Sequence, residues 1–389
     1  MLACQKHLFS LPDHLHYLNC AFMAPMARKV EEAGIAGIRQ RRNPAGVEHV
    51  DFFEGSNRLR TLFGQLIHAP SDSIAIIPSA SYGLAAIAAN LPVEQGDRIV
   101  VLDEQFPSNV YVWRRMAADK GASLETVGPG EGTGNRTTRW NERILEAIDA
   151  RTAIVAMPHI HWIDGTIFDL EAISRRTHEV GAALVVDGTQ SVGALPFDTG
   201  RIRPDAVICA GYKWLLGPYS LGLGYYSERW HNGRPLEENW ICRERSEEFG
   251  NIIAYRDEYH PGAIRFDMGE RSNFVLVPML AAALEMVLNL TPAAIQEYCR
   301  NLTRPLADCA EELGFKLESP AGRVHHLFGL RTRKGNNVDP DRLRDILEQR
   351  NISVSVRGNA IRIAPHVYND EGDIQALIEA LEAAMRIRT

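Results

Sequence analysis

The sequence predicts an α/β protein: a large domain with a seven-stranded, mostly parallel sheet flanked by helices, followed by a smaller C-terminal α+β domain. Three observations lead there. A chain of 389 residues, 45% of them hydrophobic, is long enough to bury two packed cores. From about residue 70 to 230, short β-branched apolar runs alternate with longer helical patterns, as repeated βαβ units require. After Asn273 the pattern changes to helices interleaved with short strands.

In chain order, residues 1–40 form an N-terminal segment expected to pack on the small domain or cross toward a site between the domains. Residues 41–275 form the large domain. Its strands are IAIIP (74–78), RIVVLD (98–103), SLETVG (123–128), AIVAMP (153–158), ALVVD (183–187), AVICAG (206–211) and GLGYYS (222–227). Gly83–Leu91, Trp140–Ala150 and Leu170–Val180 carry apolar residues at three-to-four spacing and read as covering helices. Glu228–Arg265 is charged, aromatic and aperiodic, the kind of long irregular segment that is usually functional or mobile. Residues 276–389 form the small domain, with helix 292–312, strands near 315–318 and 325–330, helix 339–350, strands 352–356 and 360–364, and a last helix 371–387.

Several function classes are disfavoured. With 42 basic and 49 acidic side chains the formal charge is −7, so no global field draws the protein to nucleic acid or anionic lipid, and small molecules are the expected partners. The six cysteines lack C-x-x-C or zinc spacing, which points to reduced thiols in a cytoplasm. The N-terminus is too polar for a signal peptide, and FVLVPMLAAALEMVLNL from Phe274, interrupted by Pro278 and Glu285, reads as a core helix rather than a membrane span. His159-Ile160-His161 places two imidazoles on one face of a strand, but no third residue has metal-ligand spacing, so no metal is expected. The glycine-rich 128–134 stretch fits no register of G-x-G-x-x-G before a helix and reads as a surface connection.

In open parallel sheets a ligand sits beyond the carboxyl ends of the strands, so the residues leaving each strand matter most. After IAIIP come Ser79-Ala80-Ser81 and a helix; their N–H groups and hydroxyls suit a phosphate, or Ser79 simply caps the helix. After RIVVLD, Phe106 stands at the same rim, where a ring can equally be core. Asp187 ends ALVVD, with Gly188, Thr189 and Gln190 following. A carboxylate there can hold a pyridinium N–H and keep the ring an electron sink, although an isolated aspartate is more often a turn residue. Tyr212-Lys213-Trp214 leaves AVICAG, and a lysine emerging from a buried strand would lose its proton readily and attack an aldehyde. Asp187 and Lys213 at the ends of successive strands reinforce each other.

The stretches YLNCAFMAP (17–25), EQFPSNVYVW (104–113), VVDGTQSVGALPFD (185–198), GYKWLLGP (211–218), RFDMGERSN (265–273) and IRIAPHVYN (361–369) carry a resemblance spanning nearly the whole chain. It resembles the class V aminotransferase group of fold-type I pyridoxal-5′-phosphate (PLP) enzymes, which includes cysteine desulfurases, kynureninases and isopenicillin N epimerases. The resemblance implies PLP held as a Schiff base on Lys213, with Asp187 on the pyridine nitrogen and Gln190 near the phenolic oxygen. It also implies Phe106 stacked on the ring, as in the kynureninase branch, where desulfurases use a histidine. Ser79, Ala80, Ser81 and Tyr212 would surround the phosphate, with Ser272 from a second subunit. Arg362, or alternatively Arg357, takes the position that grips a substrate α-carboxylate, which suits the guanidinium fork. His161 and Trp162 fall on the active-site wall. A homodimer with active sites at its interface, acting on the α-amino group of a small amino acid, is implied.

The sequence departs from the desulfurases, which carry a nucleophilic cysteine on a loop next to the carboxylate-binding arginine; only Gly358-Asn359-Ala360-Ile361 separates Arg357 from Arg362. Cys20 lies in a segment that approaches the site in relatives, and small apolar packing is its simpler role. Transamination is the leading expectation. β-Elimination, kynureninase-like cleavage and epimerisation are alternatives, and a PLP-binding sensor without turnover is the last. Residues 228–262 are expected to line the substrate side, with Trp240, Arg243, Tyr255 and Tyr259 as side-chain contacts.

Overall fold

The computed structural model describes residues 2–132, 134–332, 340–358 and 360–385. The central sheet holds β1 (Ile74–Ile77), β2 (Arg98–Leu102), β3 (Ser123–Val127), β4 (Thr152–Pro158), β5 (Ala183–Asp187), β6 (Ala206–Ala210) and β7 (Gly222–Tyr226), in the order β1-β7-β6-β5-β4-β2-β3. The pairs β6–β5, β5–β4, β4–β2 and β2–β3 are parallel, whereas β7 runs antiparallel to both β1 and β6. Strands β1, β5 and β6 are buried along their whole length, which is why they read as unbroken apolar runs rather than alternating ones.

Helices cover both faces: α1 (Arg28–Gln40), α2 (Glu54–Ile67), α3 (Ala80–Ala88), α4 (Ser108–Lys120), α5 (Arg136–Ala147), α6 (Leu170–Glu179) and the short α7 (Thr199–Ile202). Side chains just before four of them cap free N–H groups: Ser79 accepts from Tyr82, Asn135 from Thr137 and Thr138, Asp169 from Ala172, and Asp198 from Gly200 and Arg201. Each such cap contributes about 1 kcal/mol. The 128–134 stretch connects β3 to α5, with Thr133 outside the described residues.

The apolar segment from Phe274 forms α8 (Leu276–Leu290), which packs on α1 and α2 and buries Val277, Leu280, Leu284 and Val287. Among the described residues no single helix is long and apolar enough to cross a membrane. The C-terminal lobe follows with α9 (Pro292–Cys309), β8 (Phe315–Lys316), β9 (Phe328–Thr332), α10 (Pro340–Gln349), β10 (Ser355–Arg357), β11 (Ala360–Ile363) and α11 (Glu371–Met385). Its antiparallel sheet, ordered β10-β11-β9-β8, closes a core that includes Leu306, Phe315, Phe328, Ile361, Ile363 and Leu377. Positions 339, 386 and 387 of the expected elements, and Asn359 between the two expected strands, lie outside the described residues.

The strand expected over 352–356 is split. Ile352–Ser353 pairs in parallel with His16–Tyr17 of the N-terminal segment, and only Ser355–Arg357 joins the lobe's sheet. The N-terminal segment continues along the lobe through Cys20, whose N–H donates to the Ala364 carbonyl, and reaches the other body where Ala24 N–H donates to the Tyr212 carbonyl at 2.9 Å.

Candidate active site

The carboxyl ends of β1, β2, β4, β5 and β6 meet around a cavity of about 310 Å³. Pro78, Ser79, Ala80 and Ser81 enter it from β1; Gln105, Phe106 and Ser108 from β2; Pro158, Ile160 and Trp162 from β4; Asp187, Thr189 and Gln190 from β5; Ala210, Tyr212 and Lys213 from β6. Tyr219, Ser220 and Leu221, leading into β7, complete the wall. Ser220 on this wall and Glu104, next to Gln105 of the wall, hold positive φ of 67° and 50°, local strain of the kind that persists where surrounding structure fixes a functional loop.

Lys213 is only 6% exposed. Its Nζ lies 5.3 Å from the Phe106 ring centre and 5.5 Å from that of Tyr212, and among the described residues it has no ion-pair partner within 4 Å. Burial lowers its pKa to about 8; Asp187 opposes that shift and the Arg362 charge adds to it. Asp187 is 8% exposed and accepts from Thr189 N–H at 3.0 Å, while burial raises its carboxyl above the usual range against the pull of Thr189 and Lys213. Thr189 Oγ1 in turn accepts from Ala210 N–H at 3.2 Å, fixing the ends of β5 and β6 to each other. The Gln190 amide is held at both ends, accepting from Trp214 Nε1 at 2.8 Å and donating to the Ala21 carbonyl at 3.1 Å. Ser79 does cap α3, with its Oγ 3.2 Å from Tyr82 N and 3.0 Å from Ser81 Oγ, and the same turn faces the cavity.

Trp162 makes an edge contact with Phe106, ring centres 5.5 Å apart, and donates through Nε1 to the Glu104 carbonyl at 2.7 Å. Behind it stand the two candidate arginines, with Arg362 Cζ at 5.8 Å and Arg357 Cζ at 5.7 Å from the indole. Arg362 is buried, donates to the Trp162 carbonyl at 3.2 Å and to Ser355 Oγ at 3.4 Å, and leaves its Nε without a partner. Burial, assisted by Arg357, lowers its pKa to about 10. Neither arginine touches the cavity directly; both lie one side chain behind its wall.

Two expectations need correction. His161 is not on the wall: side chains alternate along the extended chain, so Pro158, Ile160 and Trp162 face the cavity while His159 and His161 face away. His161 packs on Trp140 with ring centres 5.1 Å apart and lies 3.4 Å from Asp164 Oδ1; His159 packs on Phe197. Ser272, expected to serve a second subunit's site, lies away from its own chain's cavity in a groove between α1, α2 and α8 and donates to the Phe52 carbonyl. Residues 228–262 do not line this cavity either. Trp240 packs in an aromatic cluster with Phe52, Phe53 and Phe249, Arg243 pairs with Glu238 and lies over Tyr259, and Tyr255 projects into solvent.

Sequence reading missed Gln105, Ser108, Thr189, Tyr219 and Ser220. Gln105 is a brace, its amide bonding Leu102 N, Asn109 O and Ala156 O. A buried glutamine among apolar strand ends was the available signal. Thr189 sits between two residues that were singled out.

A buried amine with no ion-pair partner among the described residues, a buried carboxylate on the neighbouring strand and a helix N-terminus carrying two serine hydroxyls form a donor set that fits PLP. The fold and this lysine–carboxylate cavity define a PLP-dependent enzyme of fold type I. Residues 44–377 match the aminotransferase class-V family, and the chain belongs to it. The uncharacterized aminotransferase YcbU of Bacillus subtilis (strain 168) is 25% identical over 384 residues, covering 97% of this chain and 96% of that protein. A probable cysteine desulfurase of Methanothermobacter thermautotrophicus is 26% identical over 335 residues, covering 81% and 80%. A solved point mutant of C-DES, with glycine covalently linked to its PLP cofactor, has a TM-score of 0.83 at 19% identity over 97% of this chain and 98% of that one.

Proposed function

We propose that the chain transaminates a small α-amino acid, with Lys213 as the one group that moves the proton. The observation that carries this is a single basic nitrogen, its pKa near 8, in a cavity whose other titratable side chains are Asp187, Tyr212 and Tyr219. PLP, when bound, supplies the aldehyde and the electron sink. Lys213 would carry it and, once released, hold and transfer the substrate proton. Asp187 would face the pyridine nitrogen. Phe106 would cover the ring, Gln190 would stand near the phenolic oxygen, and Ser79, Ala80, Ser81 and Tyr212 would surround the phosphate. Arg362, buried with an unpartnered Nε, is the better carboxylate grip than the more exposed Arg357, and Trp162 orients it.

Two other outcomes are less well provided for. Epimerisation wants a second base opposite the lysine; Phe106 has no proton to give, which leaves Tyr212, whose hydroxyl pKa burial pushes up, and Tyr219 as the candidates on the wall. Desulfuration wants a thiol nucleophile. Arg357 pairs directly with Ala360 across the β10–β11 hairpin, and Cys20 is fully buried with its thiol pushed up to about 12 by desolvation. β-Elimination, which uses the same lysine and needs no thiol nucleophile, is the second reading. All six cysteines are free, in keeping with a reducing cytoplasm, and a homodimer would bring the groove holding Ser272 to a second subunit's site.

The test is a panel of small amino acids added to the PLP-loaded protein. Transamination converts the cofactor absorbance to that of pyridoxamine phosphate and yields a 2-oxo acid. Pyruvate and ammonia released with the cofactor band unchanged would select β-elimination, and solvent-deuterium exchange at Cα alone would select epimerisation.

A further inference from the structure

The turn after β4 has a second face that the proposed reaction does not use. Asp164, 1% exposed, is the centre of a buried ionic cluster. It accepts from Thr166 N–H at 3.1 Å and Thr166 Oγ1 at 2.8 Å, and it pairs with Arg136 of α5 at 3.0 Å. It also pairs with Arg331 of β9, on the C-terminal lobe, at 2.7 Å, and His161 Nδ1 lies 3.4 Å away. Burial opposes the charge on Asp164, but His161, Arg136 and Arg331 together hold its carboxyl well below the usual range. The lobe docks on the same turn elsewhere: Val324 N–H donates to the Gly165 carbonyl at 3.0 Å, and Thr166 bridges to Arg323. Two residues before Asp164 stands Trp162, whose carbonyl accepts from Arg362 of the same lobe. One short turn therefore touches the cavity with one side chain and the lobe with the others.

We propose that Asp164 is a positioning residue. By clamping Arg331 to the 161–166 turn it fixes where the lobe meets Trp162, and through Trp162 it sets the reach of Arg362 toward a carboxylate-bearing substrate. The proposal rests on Arg362 being the carboxylate grip. A buried carboxylate between two arginines is a costly way to close a surface, and apolar packing would serve stability as well. A fixed geometry between lobe and wall is what the charged arrangement adds.

The test compares alanine with ethylamine, the same molecule without its carboxylate, as amines that displace Lys213 in the PLP-loaded protein, followed by the change in cofactor absorbance. In Arg331→Gln and Asp164→Asn, half-saturation by alanine is expected to rise tenfold or more while that by ethylamine stays within twofold and the limiting rate within threefold. Arg331→Lys should recover most of the loss, and adding Arg331→Gln to Arg362→Gln should cost nothing further. Equal loss for both amines, no loss, or additive loss would overturn the role of Asp164. If Arg362→Gln alone fails to separate the two amines, the reading of Arg362 falls instead. Should Asp164→Asn not fold, Arg331→Gln is set beside Glu104→Gln, because Arg331 also lies 3.9 Å from Glu104 Oε2; loss in the first without loss in the second keeps the role with Asp164, and equal loss overturns it. A second readout is hydrogen exchange of the cofactor-free protein, where Arg331→Gln should loosen residues 161–167 and leave the Lys213 loop unchanged.

Discussion

Lys213 pits stability against function within one side chain. Its pKa falls from 10.5 to about 8 on burial, so the unfolded chain binds that proton more tightly than the folded one. The sign follows: the charged amine costs on the order of 3 kcal/mol below pH 8, and the cost fades as pH rises from 8 toward 10.5. Lys213→Met is therefore expected to raise the melting temperature of the cofactor-free protein at pH 7 and to have no such effect near pH 11. Equal melting at pH 7 would mean that the amine is hydrated. The same titration governs reactivity, because only the neutral amine attacks an aldehyde. Covalent PLP uptake by cofactor-free protein, followed by stopped-flow absorbance, should rise about tenfold per pH unit and flatten above pH 8; a rise continuing to pH 10 would contradict the burial argument. Asp187→Ala should retain part of the bound PLP yet lose turnover roughly 10²-fold or more, since the electron sink fails before binding does. Steady-state rates alongside cofactor titration separate the two effects.

At the level of elements, what could be read from the sequence depended on burial. Six of the seven strand runs of the central sheet were legible because strands covered on both faces are nearly all apolar, the exposed edge strand β3 (SLETV) being the exception, and Lys213 and Asp187 stood out as charges leaving such runs. The antiparallel direction of β7 was not legible, since hydrogen-bond partners leave no mark in composition. The His161 error has a physical source as well. The HIHW run names the site correctly, but which alternate set faces the cavity depends on the register of β4 against β5, where Pro158 pairs with Asp187. Arg331 and Asp164 are 167 residues apart and are joined only by the docking of the lobe, so no local pattern announces their pair. Gly165 is the element-scale test of that docking. Its φ is +72°, and a Cβ there would lie 2.0 Å from the Leu327 carbonyl oxygen. Gly165→Ala is expected to destabilise the protein by about 2–3 kcal/mol through backbone strain and the clash, measured by denaturant unfolding. A neutral result would show that the lobe can shift on the turn.

For the whole molecule, the question is which face would meet a second copy. Helix α1 is a ridge between two grooves: one with Met26, Ile35, Ile38 and Met279, the other with Gly37, Ser56, Ser272 and Pro278. Ile35 and Ile38 are exposed on that ridge, with Phe22, Met23 and Met26 near its start. Apolar side chains gathered on one side of a monomer mark an interaction site, and a ridge beside its own grooves can pack against a second copy about a twofold axis. The groove with Ser272 would then be carried toward the neighbouring cavity. Sedimentation should accordingly give about twice the chain mass of 43.4 kDa. The double variant Ile35→Glu/Ile38→Glu should sediment as a monomer, and it should release PLP more readily if Ser272 serves the phosphate of the other subunit. A monomeric variant that keeps PLP as tightly as the parent would show that each cavity is complete within one chain, and an unchanged dimer would place the interface on another face.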